Sequence, residues 1–210
     1  MRFLLCVSLL VLIGLALPAA ADDLETGPAG HFQARLRLAG VIPDPSATIA
    51  ISGANIGGTT KVTDSFIPEA DLTYFITDNI GVEAIAAITK HTVSNSVAGR
   101  VASVWLLPPT ITAQYHFDPA GAFQPYVGAG INYTFFYDAK STLPNIQFKN
   151  SFGWALQAGI DVPVGEGRYF LNFDVKKLFL NTSVRAGGGT VRASASLDPW
   201  IIGTGIGIRF

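Results

Sequence analysis

The sequence predicts an all-β fold: an eight-stranded antiparallel transmembrane β-barrel with short periplasmic turns and longer extracellular loops. Three observations point there. Charged residues make up only 14% of the 210 residues and hydrophobic residues 49%, against roughly 25% charge in an average soluble domain. Past the N-terminal segment the apolar residues recur with period two, and no stretch suits a spanning helix. One face of the alternation carries charge, while the other is bulky and apolar with aromatics near its ends, as in a barrel turned inside out for lipid. A net charge of -1 leaves no basic field to hold nucleic acid.

Taken in order, the chain opens on a leader. Arg2 precedes an apolar run from Phe3 to Leu17, and Pro18-Ala19-Ala20-Ala21 offers an A-x-A cleavage site before Asp22-Asp23. This predicts a signal peptide over residues 1–21 and an outer-membrane barrel over residues 22–210. The competing reading, an N-terminal anchor, lacks a strong positive flank or a stop-transfer pattern. Cys6 is the sole cysteine and sits within the leader, so the mature chain is expected to hold no disulfide, thiol nucleophile or cysteine metal site.

Eight strands follow. Phe32, Ala34, Leu36 and Leu38 alternate with Gln33, Arg35, Arg37 and Ala39. Weaker runs lie at Phe66 to Ile76, Ile80 to Thr89 and Pro109 to Phe117. From Phe123 to Tyr137 an apolar face with aromatic ends opposes a small, polar one. Phe152, Trp154, Leu156, Ala158 and Ile160 alternate with Gly153, Ala155, Gln157, Gly159 and Asp161. Tyr169, Leu171, Phe173 and Val175 alternate with Asn172, Asp174 and Lys176. The chain ends with Trp200, Ile202, Ile206 and Ile208 opposite Gly203, Gly205, Gly207 and Arg209. Connections alternate long and short: Pro43–Ser65, Thr77–Asn79, Lys90–Pro108, Asp118–Ala122, Asp138–Asn150, Pro163–Arg168 and Asn181–Asp198. That places both ends of the barrel in the periplasm. A lipocalin-like barrel or a sandwich would reverse the polarity of the two faces.

The order and spacing of these blocks resemble the OmpW family of eight-stranded outer-membrane proteins. The resemblance rests on RLRLAGVIP from Arg35 to Pro43, PEADLTYFITDNIGVEAIAA from Pro68 to Ala87, and WLLPPTITAQYHF from Trp105 to Phe117. It continues through QPYVGAGINYTFFY, FGWALQAGIDVPV and LNFDVKKLFLNT to the terminal LDPWIIGTGIGIRF. It implies a bacterial outer-membrane channel for small hydrophobic molecules, with an apolar pocket above a polar interior and lateral exit into the membrane. Trp105 and Leu106 match the segment that helps line the apolar channel; the residues alone also allow interface anchors there. The first loop departs from a polar loop, with Ala47, Ile49, Ile51 and Ile56 among its glycines.

Arg35, Arg37, Asp161, Asp174, Lys176 and Arg209 are expected to meet as an internal charge network, either a plug or a polar conduction path. The terminal Phe210 resembles the signal by which such barrels are recognised for insertion. The expected partners are outer-membrane lipids, small hydrophobic solutes, and periplasmic chaperones with the barrel-assembly machinery. No cofactor is expected. His31, His91 and His116 form no closely spaced ligand set. Gly203-x-Gly205-x-Gly207 opens no helix and so makes no phosphate cradle. Two other classes stay open. One is a structural or adhesive barrel with no through channel. The other is a lipid-modifying enzyme, for which Ser94 or Ser96 near His91 and Lys90 would have to supply nucleophile and base.

Overall fold

A computed structural model describes residue 28, residues 31–165 and residues 168–210, so the leader reading lies outside the described residues. In chain order the strands are β1 (Phe32–Ile42), β2 (Ser46–Ile51), β3 (Ala54–Asn55), β4 (Thr60–Val62), β5 (Ser65–Phe75) and β6 (Ile80–Ala87). Next come β7 (Thr89–Asn95), β8 (Gly99–Leu107), β9 (Thr110–His116) and β10 (Gln124–Ser141). The last are β11 (Gln147–Phe148), β12 (Ser151–Val164), β13 (Tyr169–Ala186), β14 (Val191–Ser196) and β15 (Trp200–Arg209).

Eight of these form a barrel-like ring core, all antiparallel. β1 pairs β5, β5 pairs β6, β6 pairs β9, and β9 pairs β10. From there β10 pairs β12, β12 pairs β13, β13 pairs β15, and β15 returns to β1. At the final seam Phe32 and Phe210 exchange backbone hydrogen bonds of 2.8 and 2.9 Å. The short connections are tight turns: the Ile80 amide donates to Thr77 Oγ1 at 3.0 Å, and the Gly121 amide to Asp118 O at 3.2 Å.

The long connections differ from expectation. Read as loops, they are largely strand. Pro43–Ser65 carries β2, β3 and β4, and Lys90–Pro108 carries β8 and most of β7. β10 and β13 run 18 residues each, well past the roughly 9–11 that cross a bilayer. β13, β14, β2 and β3 extend one side of the ring, and β10, β8, β7 and β4 the other. Backbone groups that an irregular loop would leave to water are paired here within two extension sheets.

The faces sort as the alternation requires. Leu36, Leu38, Phe173, Ile202 and Ile206 are exposed on the outside, while Gln33, Arg35, Arg37, Asn172, Asp174 and Lys176 are buried within. Aromatics gather toward both ends. Phe32 lies beside Tyr74 and Phe210 at one end, and Tyr133 beside Phe135 at the other, as in interfacial girdles.

Two glycines of β15 show why its inward face is bare. A Cβ on Gly205 would overlap Leu36 O and approach Arg37 Cα, and one on Gly207 would overlap the Phe170 ring. Gly205 thus lets the β1 backbone approach closely, and Gly207 leaves room for the Phe170 ring. On the lipid face, Leu38→Arg is expected to cost about 2–4 kcal/mol in a bilayer and Leu38→Ala far less. Urea unfolding in lipid vesicles measures both.

Candidate functional site: an apolar chamber on a charged floor

The inward positions of the ring change character at one level. Along β1 they read Gln33, Arg35 and Arg37, then Ala39 and Val41. Along β13 they read Asn172, Asp174 and Lys176, then Leu178 and Leu180. Along β5, in the opposite direction, Thr73, Asp71 and Glu69 give way to Ile67. Because antiparallel registers align these changes, the interior divides into a charged half and an apolar half.

The charged half is filled. Arg35 Nη1 donates to Asp71 Oδ1, Thr73 Oγ1 and Glu83 Oε1, each at 3.1 Å, and its Nη2 donates to Asp161 Oδ2 at 2.9 Å. Arg37 donates to Glu69 Oε1 at 2.7 Å, Asn172 Oδ1 at 2.6 Å and Glu83 Oε1 at 3.1 Å, and pairs with Asp71 at 2.9 Å. Lys176 Nζ donates to Glu69 Oε1 and Asp174 Oδ1, both at 2.7 Å. Arg209 donates to Gln33 Oε1 at 2.7 Å and stands 3.8 Å from Asp161. Tyr126 links the rungs: its hydroxyl donates to Asp174 at 2.7 Å, and its ring lies 5.0 Å from the Arg35 guanidinium. The structure thus brings Arg35, Arg37, Asp161, Asp174, Lys176 and Arg209 into one cluster of connected side chains.

Glu69, Asp71 and Glu83 were missing from the sequence reading, although they hold both central arginines. Their signal lies in the alternation Glu69, Asp71, Thr73 against Ala70, Leu72, Tyr74, and in Glu83 between Val82 and Ala84. Breaking a buried charge set by removing one member costs roughly 3–5 kcal/mol.

Above this plug is a cavity of about 1400 Å³, its open mouth included. Val41, Ile49, Ile85, Leu106, Phe136 and Leu180 are among its lining residues. Ala47 and Ile49, from the first long connection, stand in its wall, as do Ala193 and Ala195 of β14. Glu69 and Lys176 form part of the floor.

The two residues matched to the family channel separate. Leu106 is buried in the chamber wall. Trp105 faces the other way: its ring stacks on Tyr137 with centroids 6.5 Å apart, and Lys90 Nζ lies 5.2 Å from the ring centroid. Consecutive strand residues point to opposite faces, so one wall cannot take both.

The histidines are dispersed. His116 packs between Phe75 and Tyr126, at 4.9 and 5.0 Å, and bonds Gln114. His31 accepts the Phe75 amide through its carbonyl. His91 lines the chamber, its Nδ1 2.6 Å from Thr63 O and its Nε2 3.0 Å from Thr89 Oγ1. Ser96 Oγ accepts from the Thr59 amide rather than engaging His91.

A sequence profile of the OmpW family matches residues 28–210. The chain belongs to the OmpW family. It is 39% identical, over its full length and 97% of the relative, to an uncharacterized outer-membrane protein of Sinorhizobium fredii. It is 36% identical to outer membrane protein W of Escherichia coli, covering 87% of this chain and 89% of that one. The crystal structure of the outer membrane protein OprG from Pseudomonas aeruginosa superposes with a TM-score of 0.81 at 28% identity, over 88% of this chain and 97% of that one. This OmpW-family chain is a bacterial outer-membrane protein, and its kinship is with barrels whose role is not enzymatic.

Two outcomes test the two halves. Arg35→Met, which removes one cationic partner from each of Asp71, Glu83 and Asp161, should lower stability by about 3–5 kcal/mol, against less than about 0.5 kcal/mol for Thr190→Ala in a connection; chemical unfolding in detergent reports both. His91, in the extension beyond the ring, is held below its ordinary value of 6.5 by burial, against the opposing pull of the Thr63 carbonyl and Asp64. A depressed histidine favours the neutral form, so its stabilising effect is complete above pH 6.5 and lost as pH falls through the lowered value. The protection of β4 and β7 amides from exchange, measured relative to the intrinsic rate at each pH, should fall on acidification, and His91→Gln should remove that dependence.

Proposed function

We propose that this protein takes up small hydrophobic molecules across the outer membrane, through the apolar chamber and sideways into the bilayer. The observation that carries this reading is the pairing of an apolar chamber with a charged floor. An apolar solute gains by leaving water for such walls. Beneath it the charged side chains are tied to one another by ion pairs and hydrogen bonds, which offers neither space nor solvation for passage straight down.

A side path has a structural basis in the wall between β6–β7 and β9–β8. Ladder pairing runs to Ile85↔Thr110 and resumes at Thr89↔Leu106. Between them lie Ala87 and Pro108, both lining the chamber, and Pro109. The two prolines carry no amide hydrogen to close the ladder. Asn132 Nδ2 spans part of the break on the other side, donating to Pro108 O, Pro109 O and Thr110 Oγ1 at 3.1, 3.2 and 2.8 Å.

The same reading takes the eight-strand ring as a closed transmembrane barrel, since every ring strand has a partner on each side and an open edge in lipid would leave backbone groups unpaired. It takes residues 1–21 as a leader removed on export. Phe210, last in the chain and packed on Phe32 at 6.1 Å, is the assembly signal read by the barrel-assembly machinery after delivery by periplasmic chaperones. Trp105 acts as an interfacial anchor rather than a channel residue.

Uptake by cells expressing the protein, with naphthalene as apolar probe and a disaccharide as polar probe, tests the function. Selective naphthalene uptake is expected. Ala195→Trp, which fills the chamber outside the ring, should lower it several-fold with the barrel intact. Equal uptake of both probes, or no effect of Ala195→Trp, would sink the channel reading.

A further inference from the structure

The chamber is apolar except at a few positions, and those positions are not equivalent. Thr110 Oγ1 donates to Pro108 O at 3.0 Å, Thr134 Oγ1 to Asn132 Oδ1 at 2.7 Å, and Thr182 Oγ1 to Lys149 O at 2.7 Å. Both ring nitrogens of His91 are engaged with Thr63 and Thr89. These groups have committed their protons within the wall.

The floor pair differs. Lys176 and Glu69 both line the chamber, with side chains only 2% exposed. An ammonium has three donors, and Lys176 Nζ places two of them, on Glu69 Oε1 and Asp174 Oδ1. Glu69 receives both Arg37 and Lys176 on the same oxygen, Oε1, at 2.7 Å each. That leaves one ammonium donor and Glu69 Oε2 without a hydrogen-bond partner among the described residues, at the level where the inward positions turn to Ala39, Ile67 and Leu178.

We propose that this floor is a seat for the hydroxyl of a neutral alcohol whose hydrocarbon part fills the chamber. Lys176 Nζ donates to the hydroxyl oxygen, and the hydroxyl donates to Glu69 Oε2. The inference rests on the chamber being a solute site and adds the chemical class of solute. A hydroxyl is donor and acceptor at once and answers both groups. A pure hydrocarbon leaves both unanswered. A carboxylate head meets a cluster in which Arg35, Arg37, Lys176 and Arg209 already face five acids, Glu69, Asp71, Glu83, Asp161 and Asp174. A further negative charge is repelled there, and a cationic head would confront Lys176.

The test is displacement of the polarity-sensitive dye N-phenyl-1-naphthylamine from the whole protein in lipid nanodiscs. The competitors are 1-octanol, octane and octanoate, compared at equal mole fraction in the bilayer and neutral pH. Octanol is expected to displace the dye at roughly one tenth the level of octane or octanoate, the scale of a hydrogen bond to a charged group. Glu69→Gln, which replaces the acceptor with an amide, should bring octanol to within about threefold of octane and leave octane unchanged. Equal displacement by octanol and octane in the native protein overturns the hydroxyl seat, and that comparison needs no variant to fold. Octanoate displacing best overturns it in favour of an anion seat. An octanol advantage that survives in folded Glu69→Gln also overturns it. Failure of every competitor to displace a bound dye would instead count against the chamber as a solute site.

Discussion

Arg35 and Arg37 stand inside a ring whose outer face is apolar, and their charges have to be answered within it. A buried guanidinium without partners is too costly to keep. Its carboxylates come from β5, β6 and β12, strands far apart in sequence but brought around one interior by the ring. This requirement constrains pairing register as strongly as the apolar outer face does. A one-residue slip of β1 would turn Arg35 and Arg37 toward lipid and leave Asp71, Glu83 and Asp161 unpaired. It also explains the bare inward face of β15. Gly203 and Gly205 lie against β1 where Arg37 crosses, and Gly207 lies against Phe170, whose ring is 5.8 Å from the Arg35 guanidinium. Bulk on one strand is matched by its absence on the next.

A packed plug of this kind has a functional consequence. Eight strands leave little interior beyond what side chains fill, and here ion pairs and amides take up the space between Gln33 and Lys176. Replacing these groups with apolar residues of similar volume need not weaken the barrel. Stability is therefore only part of what the charges contribute. They give the chamber above them a polar end, so that a solute meets an oriented surface rather than a uniform greasy tube.

Much of the ring was legible from the sequence because one rule, apolar outside and polar inside, governs each crossing strand. β10, β12, β13 and β15 showed it plainly, with Tyr, Phe or Trp marking their ends. β5 and β6 showed it weakly. Their outer faces carry Pro68, Ala70 and Ala84, which blunt the contrast and hid Glu69, Asp71 and Glu83 as interior groups. Leu106 and Trp105 could not be separated by resemblance, since a matched segment does not say which of two neighbours faces in. The chamber walls beyond the ring, carried by β2, β4, β8 and β14, were not legible as strands, and the reason lies in the solvent rather than in the length of the connections.

β13 makes that reason visible. Within the ring its buried positions are Asn172, Asp174 and Lys176, and its exposed ones Leu171, Phe173 and Val175. Farther along, the buried positions are Leu178 and Leu180, and the exposed ones beyond the membrane end include Asn181 and Arg185. Past the bilayer the outside is water, so the outer positions turn polar and the inner ones are free to be apolar. The same reversal runs through β2, where Ala47 and Ile49 face the chamber and Ser46 and Thr48 do not, and through β14, where Ala193 and Ala195 do so beside Arg192 and Ser194. A pattern that inverts midway along a strand reads as a polar loop with stray apolar residues. Yet it is the inversion that makes the chamber, because an unbroken strand carries its inward face from the plug into the space above. Floor and wall are then successive residues of the same strands, Lys176 followed by Leu178 and Glu69 preceded by Ile67. The floor's position relative to the walls is thereby set by strand geometry, without reliance on a loop to hold it.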